Sequence, residues 1–293
     1  MKYTLIDMNP QEGYSIGGDF TKKEKRGQHM ALQFCSFASG SSGNCYMIKK
    51  DDMAVLIDVG ISGKRIFQGL EETATPLAQV AAILITHEHI DHVKSLPVVS
   101  KKIAGSRIYT NEKTWICIPR KAAEERWTAF ITGRDFYIGD IRVRPFAVPH
   151  DAAEPVGFSF FTQNRQISIV TDAGYITDEI FKEILSADLL VLEANHEVEV
   201  LQMGNYPYHL KRRILGEKGH LSNVTAADCI CKLQTTADKA RRILLGHLSQ
   251  QNNDPALAQI TVENILRQQE IHIGGSLKMD VILRDGLSTV YEV

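Results

Sequence analysis

The sequence predicts an α/β protein, a four-layer αββα sandwich, and three observations predict it. Short β-branched-rich apolar runs such as Val80-Ala81-Ala82-Ile83-Leu84-Ile85 recur along the chain, as buried strands do. They alternate with helix-length stretches, and this plan occurs in two halves without an internal sequence repeat. The residues that carry chemistry fall where these runs stop, at one edge of one layer. Two mixed sheets facing each other with helices outside satisfy all three. At 293 residues, 44% hydrophobic and 23% charged, the chain can bury one large two-sheet core or two modest ones.

In chain order, strands are expected at about 32–37, 44–49 and 53–58, then a short helix near Gly63–Glu71 and a strand at 80–85. A helix near Val93–Ile103 comes after the polar loop that ends that strand. Strands at about 107–110, 136–138, 141–148, 156–162 and 166–171 close the first sheet and open the second. Helices near Thr177–Leu185, Leu210–Leu215, Asn223–Thr235 and Pro255–Gln268 are separated by strands at 188–193 and 241–246. The chain ends as two strands, Leu277 to Leu283 and Ser288 to Val293, around Asp285-Gly286. Residues 1–29 carry Gly13, Gly17, Gly18 and the run Lys22-Lys23-Glu24-Lys25-Arg26-Gly27, with little apolar periodicity. They are read as a flexible extension or leader before a domain over 30–293, with a basic arm contacting DNA as the sharper alternative.

The loop Thr86-His87-Glu88-His89-Ile90-Asp91-His92 places three imidazoles and a carboxylate within six positions. Neutral imidazole and carboxylate suit zinc, manganese and iron, and ligands packed this closely favour two divalent ions over one. His87 and His89 can turn toward one ion while Asp91 and His92 face another. Three more candidates end strand-like runs: His150 in Val148-Pro149-His150-Asp151, Asp172 in Thr171-Asp172-Ala173-Gly174, and His247 in Gly246-His247-Leu248-Ser249.

This ordered set resembles the metallo-β-lactamase-fold hydrolases over roughly Leu32 to Val293. The resemblance implies that His87, His89 and His150 hold one metal, that Asp91, His92 and His247 hold the other, and that Asp172 bridges both. It also implies that Asp58, in Val55-Leu56-Ile57-Asp58-Val59-Gly60, braces the ligand loop by hydrogen bonds without binding metal. A narrower similarity, to the WalJ (YycJ) branch, rests on several segments. They are Phe37-Ala38-Ser39-Gly40-Ser41-Ser42-Gly43-Asn44, Pro149-His150-Asp151-Ala152-Ala153-Glu154-Pro155-Val156-Gly157, Glu193-Ala194-Asn195-His196, Gly219-His220-Leu221-Ser222-Asn223 and His247-Leu248-Ser249-Gln250-Gln251-Asn252-Asn253. That branch implies 5′-to-3′ exonuclease action on DNA ends, with a link to mismatch repair. The first thirty residues and His209 match nothing in it.

Two cations about 3.5–4 Å apart bring a shared water to ionise near neutrality, since zinc alone lowers a bound water's pKa to roughly 7. Asp91, His220 and His196 are the further candidates for charge and proton handling, with Glu193 expected to orient His196. His220 precedes a helix whose amino end favours phosphate. Ser39, Asn44 and Asn223 are candidate substrate contacts. A net charge of −2 excludes binding by global basicity, so nucleic acid must be met by local patches. Lys211-Arg212-Arg213 with Lys218 is the first, then Lys101-Lys102 with Arg107, then Arg120-Lys121. Only about 75 residues separate Asp172 from His247, too few for an inserted clamp domain of the ribonuclease J type. A small-molecule hydrolase of glyoxalase or lactamase type is the alternative, because fold does not fix function. Five scattered cysteines and the lack of a membrane-length apolar run or signal-peptide pattern lead to an expected cytoplasmic protein with reduced thiols.

Overall fold

The computed structural model describes residues 31–119, 123–237 and 239–293. The extension expected over 1–29 and the basic pair Arg120-Lys121 lie outside the described residues. Two seven-stranded sheets organise the rest. The first runs, across its width, β14 (Tyr291–Glu292), β1 (Gln33–Ala38), β2 (Cys45–Lys50), β3 (Met53–Ile57), β4 (Val80–Leu84), β5 (Arg107–Thr110) and β6 (Trp127–Ala129). The second runs β13 (Leu277–Val281), β12 (Arg241–Gly246), β11 (Leu189–Glu193), β10 (Arg165–Val170), β9 (Val156–Thr162), β8 (Ile141–Ala147) and β7 (Phe136–Ile138).

Alternation along the central strands explains why the sheets stack and why helices cover them. In β11, Leu189 and Val191 enter the core between the sheets with Val55, Ile57 and Leu84 of the first sheet. Leu190 and Leu192, pointing the other way, meet helices α5 (Asp178–Ile184), α8 (Asn223–Thr236) and α9 (Pro255–Gln268) through Ile180, Ile230 and Val262. On the far side, Leu56 and Ile83 meet Ile66 and Leu70 of α1 (Gly63–Glu72). A strand buried on both faces must be apolar at every position, which is why these runs read as continuous. Each buried Leu or Ile contributes about 1.5–3 kcal/mol, enough for the sheets to tolerate strained loops at their ends.

Several expectations change. Residues 136–171 all belong to the second sheet, and the first is closed by β6 and β14. The three residues of β6 are too few to show a period. The helix expected at 93–103 starts at Ile90 and is broken into α2 (Ile90–Val93) and α3 (Leu96–Lys102). Pro97 sits at the start of α3 and has no N–H to continue a helix. Just before it, Ser95 turns away, its N–H to Val59 O (2.9 Å) and its hydroxyl to Ile61 O (2.6 Å). The last two strands join different sheets, so Asp285-Gly286 lies on a crossing between layers. Helices α4 (Glu112–Cys117), α6 (Val198–Met203) and α7 (Tyr208–Ile214) complete the set, the first two unexpected. All five cysteines are free, and Cys117 is exposed. Among the described residues, no helix is long and apolar enough to cross a membrane.

Candidate metal centre

Parallel pairing brings the chemistry to one edge. Strands β3 and β4 run parallel, as do β10, β11 and β12, so their carboxyl ends align, with Ile57 opposite Leu84 and Glu193 opposite Gly246. At three of these ends the chain turns through a left-handed residue: Asp58 (φ 58°), Asp172 (φ 57°) and His247 (φ 56°). Asp and His enter this region more readily than most residues, at a cost that the surroundings must offset. For His247 they do so directly: its N–H donates to Ser39 Oγ (2.8 Å) and its carbonyl accepts from Asn195 Nδ2 (2.9 Å).

Two buried carboxylates then set the tautomers. Asp58 accepts from Thr86 N (2.9 Å), Thr86 Oγ1 (2.9 Å) and His92 Nδ1 (2.7 Å). With its proton given to Asp58, Thr86 Oγ1 accepts from His87 Nδ1 at 3.0 Å. The Nε2 atoms of His87 and His92 are thereby left as lone pairs. On the second sheet, Glu193 Oε1 accepts from Nδ1 of both His220 and His247, each at 2.7 Å. His150 Nδ1 lies 3.2 Å from Gly219 O, which frees its Nε2 likewise.

The freed atoms converge. His89 Nδ1 is 3.0 Å from His87 Nε2 and 3.3 Å from His150 Nε2. Ligands at 2.0–2.1 Å on a tetrahedral ion lie about 3.3 Å apart. His92 Nε2 is 3.5 Å from Asp91 Oδ2 and 3.4 Å from Asp172 Oδ2, and His247 Nε2 is 3.5 Å from Asp172 Oδ1. Asp172 Oδ1 also lies 3.8 Å from His150 Nε2, so its carboxylate stands between the two sets. The sets His87, His89, His150 and Asp91, His92, His247 each bring one ligand atom per residue within 4.8 Å of the others.

Electrostatics and hydrogen bonding fit cations here. Asp172 Oδ2 and His247 Nε2 are buried without a hydrogen-bond partner, an arrangement costly for polar atoms unless something else satisfies them. Among the described residues, Asp58, Asp91, Asp172 and Glu193 pair with histidines and with no Lys or Arg. Burial opposes charge on His247, but the Asp172 charge and the Glu193 hydrogen bond outweigh it and raise the ring to about 9. The carboxylates around His92 overcome its burial in the same way and hold it well above the usual range.

The other expected site residues are placed differently. His220 joins the centre, its ring 5.1 Å from His150 and 5.4 Å from His247. His196 does not: its ring is buried, neither nitrogen has a partner, and burial pulls it down to about 4. The expected Glu193–His196 pair is corrected to Glu193 with His220 and His247, because both Glu193 oxygens are committed. Its Oε2 accepts from Ala173 N (2.9 Å) and Leu221 N (3.3 Å). Ser39, Asn44 and Asn223 are wholly buried and bond inside the protein, so they are supports where substrate contacts were expected. Ser39 Oγ also meets Tyr46 Oη (2.7 Å), and Asn44 Nδ2 lies 3.2 Å from His92 Nε2. The start of α8 is closed to phosphate, with Ser222 Oγ capping Thr225 N (3.1 Å) and the Glu197 carboxylate accepting from Asn223 Nδ2 (3.0 Å). Of the basic run, Lys211 donates to Gln202 O (2.7 Å) and Arg213 forks onto Asp151 (2.5 and 3.0 Å). Arg212 remains outward-facing and exposed.

Sequence reasoning missed Thr86 and the Arg213–Asp151 fork, although Thr86 opens the ligand motif itself. It also missed Gly60. A Cβ there would stand 1.5 Å from Asp91 O and 2.1 Å from Asp91 C, both backbone atoms that cannot step aside alone. Gly60→Ala is expected to push the ligand loop outward and lower turnover about a hundredfold, the scale of a 1 Å misplacement. Turnover and metal content measured together test this; a variant normal in both would show the close approach to be dispensable.

Residues 54–248 match the family described as Beta-lactamase superfamily domain. The chain is 37% identical over 253 residues to Exodeoxyribonuclease YycJ of Bacillus anthracis, covering 85% of this chain and 95% of that one. It is 36% identical over 255 residues to Exodeoxyribonuclease WalJ of Streptococcus pneumoniae serotype 2, covering 85% and 94%. In fold it is similar to the metallo-beta-lactamase fold protein YhfI from Bacillus subtilis, with a TM-score of 0.67 at 14% identity, over 89% of this chain and 99% of that one. With its two facing sheets and its histidines and aspartates gathered at one edge, the chain belongs to the metallo-β-lactamase superfamily, in the YycJ and WalJ branch.

Proposed function

We propose that this protein is a dinuclear-metal-dependent exonuclease that removes nucleotides from DNA ends in the 5′-to-3′ direction. The observation that carries the reading is the placement of Asp172 between the His87, His89, His150 set and the Asp91, His92, His247 set, with His220 alongside. The naming of similar proteins as exodeoxyribonucleases supports DNA as substrate. Two divalent ions, zinc or manganese, held by these seven residues would supply Lewis acidity toward a phosphodiester and acidify water.

The chain's own groups do the rest. Asp58 and Glu193 fix which nitrogens carry protons, so the ligand atoms would be free to hold the ions as they stand. His220, its Nδ1 anchored on Glu193, presents Nε2 as the atom that passes a proton to the leaving oxygen. The reading places the enzyme in the cytoplasm, with DNA-repair proteins as partners.

The test is digestion of single- and double-stranded DNA and RNA labelled at either end, with zinc or manganese supplied. Stepwise loss from the 5′ end of DNA is expected; hydrolysis of a thioester or β-lactam without any cleavage of nucleic acid would overturn the reading. Elemental analysis should approach two metals per chain. A tightly held stoichiometry of one, unchanged by added metal, would remove the paired-ion mechanism.

A further inference from the structure

Large apolar side chains of this protein are mostly buried, yet four are exposed within a short stretch beside the metal centre: Val200 (37%), Met203 (85%), Tyr208 (75%) and Leu215 (45%). The stretch is fastened to the wall of the centre. Arg213 forks onto Asp151, Gly219 O meets His150 Nδ1 at 3.2 Å, and Gly174 lies so near Glu217 that an added Cβ would come within 2.1 Å of its carbonyl oxygen. Tyr208 and Arg212, one turn apart on α7, share a face, with the guanidinium 6.0 Å from the ring. Tyr208 lies about 7–8 Å along the helix from Arg213, at 1.5 Å per residue. Among the described residues, Arg212 and Lys218 are exposed and form no ion pair, so their charges are available to an anion.

We propose that α7 and the turn after it form a track for the single-stranded end of a nucleic acid, with a base stacked on Tyr208 and phosphates on Arg212 and Lys218. The inference rests on the nuclease reading and adds to it the form of the substrate and the residues that hold it. An exposed ring beside uncommitted cations matches bases and phosphates together, since every base offers a π-face and every linkage a charge. A duplex hides its base faces, so the track favours an unpaired end. The two exposed cations make an anionic polymer the occupant that complements this surface, rather than a second apolar one.

The test is fluorescence anisotropy with the full metal-loaded protein. The probes are a labelled single strand, protected from cleavage by phosphorothioate linkages, and a blunt duplex of equal length, both titrated with salt. Tyr208→Ala should weaken single-strand binding by roughly 5- to 150-fold, the range for losing one stacked base, without changing the salt slope. Tyr208→Phe should bind as the parent does. Arg212→Ala should lower the slope of log affinity against log salt by about 0.7, and both variants should match the parent in circular dichroism and metal content. The proposal is overturned if Tyr208→Ala binds normally, or if single strand and duplex weaken equally. It is also overturned if the substitution changes only the oligomeric state seen by light scattering, which would make this face a self-contact. Tyr208-dependent binding by a protein that cleaves no nucleic acid would instead count against the nuclease reading alone.

Discussion

Asp172→Asn is expected to lower turnover by at least about a thousandfold while leaving the fold in place. A metal ion is worth several kcal/mol of transition-state stabilisation, and each 1.36 kcal/mol is a factor of ten, so losing the carboxylate that stands between both ligand sets removes at least three such factors. Asparagine is the informative replacement. Asp172 holds φ at 57°, a conformation that asparagine accepts and alanine resists, so backbone strain does not confound the result. The sheets supply most of the burial and do not depend on this side chain. Circular dichroism should therefore match the parent while metal content and turnover fall together. His87→Ala should behave alike, since its Nε2 lies 3.0 Å from His89 Nδ1. Near-normal turnover in either variant would refute the ligand assignment.

How legible the centre was depends on whether a residue acts through its place on a strand or through a partner across the sheet. His87, His89, Asp91, His92, His150, Asp172 and His247 all come directly after apolar runs, and the edge of a sheet gathers the residues at which its strands end. Asp58, which ends β3 beside the ligand loop, was legible through the family resemblance. Glu193 also ends a strand, but its partners are fixed by register. β11 pairs parallel with β12, opposing Glu193 to Gly246 and bringing His247 to it, and no local pattern encodes that register. Ser39 and Asn44 read as substrate contacts because hydroxyls and amides look alike whether they face solvent or a neighbour. Tyr46, two residues past Asn44 and fully buried, takes both of them inward. The basic run likewise showed its charges and not its commitments: Arg213 is held by Asp151, so a triple Lys211, Arg212, Arg213 substitution would disturb the metal centre along with any phosphate contact.

Glu193→Gln is expected to weaken metal binding by about 10- to 100-fold, the usual cost of removing a group that orients a ligand, and to lower stability by about 1–3 kcal/mol. The change is nearly isosteric, but the site admits no amide. All four hydrogen bonds to Glu193 come from donors: two ring nitrogens at Oε1, and the Ala173 and Leu221 N–H groups at Oε2. Whichever way glutamine is turned, its NH2 faces a pair of donors in a wholly buried position. One orientation releases His220 and His247; the other displaces the backbone beside Asp172. His220→Ala separates the two duties of the carboxylate, because it removes the ring proposed to pass the proton and leaves His247 anchored. That variant should keep its metals and lose turnover, whereas Glu193→Gln should lose both. Chelator competition gives the affinity, thermal unfolding the stability, and turnover at saturating metal the catalytic share. Parental metal affinity and melting temperature in Glu193→Gln would show that the Oε1 fork does not set the ligand geometry, and the role given to Glu193 would then fall.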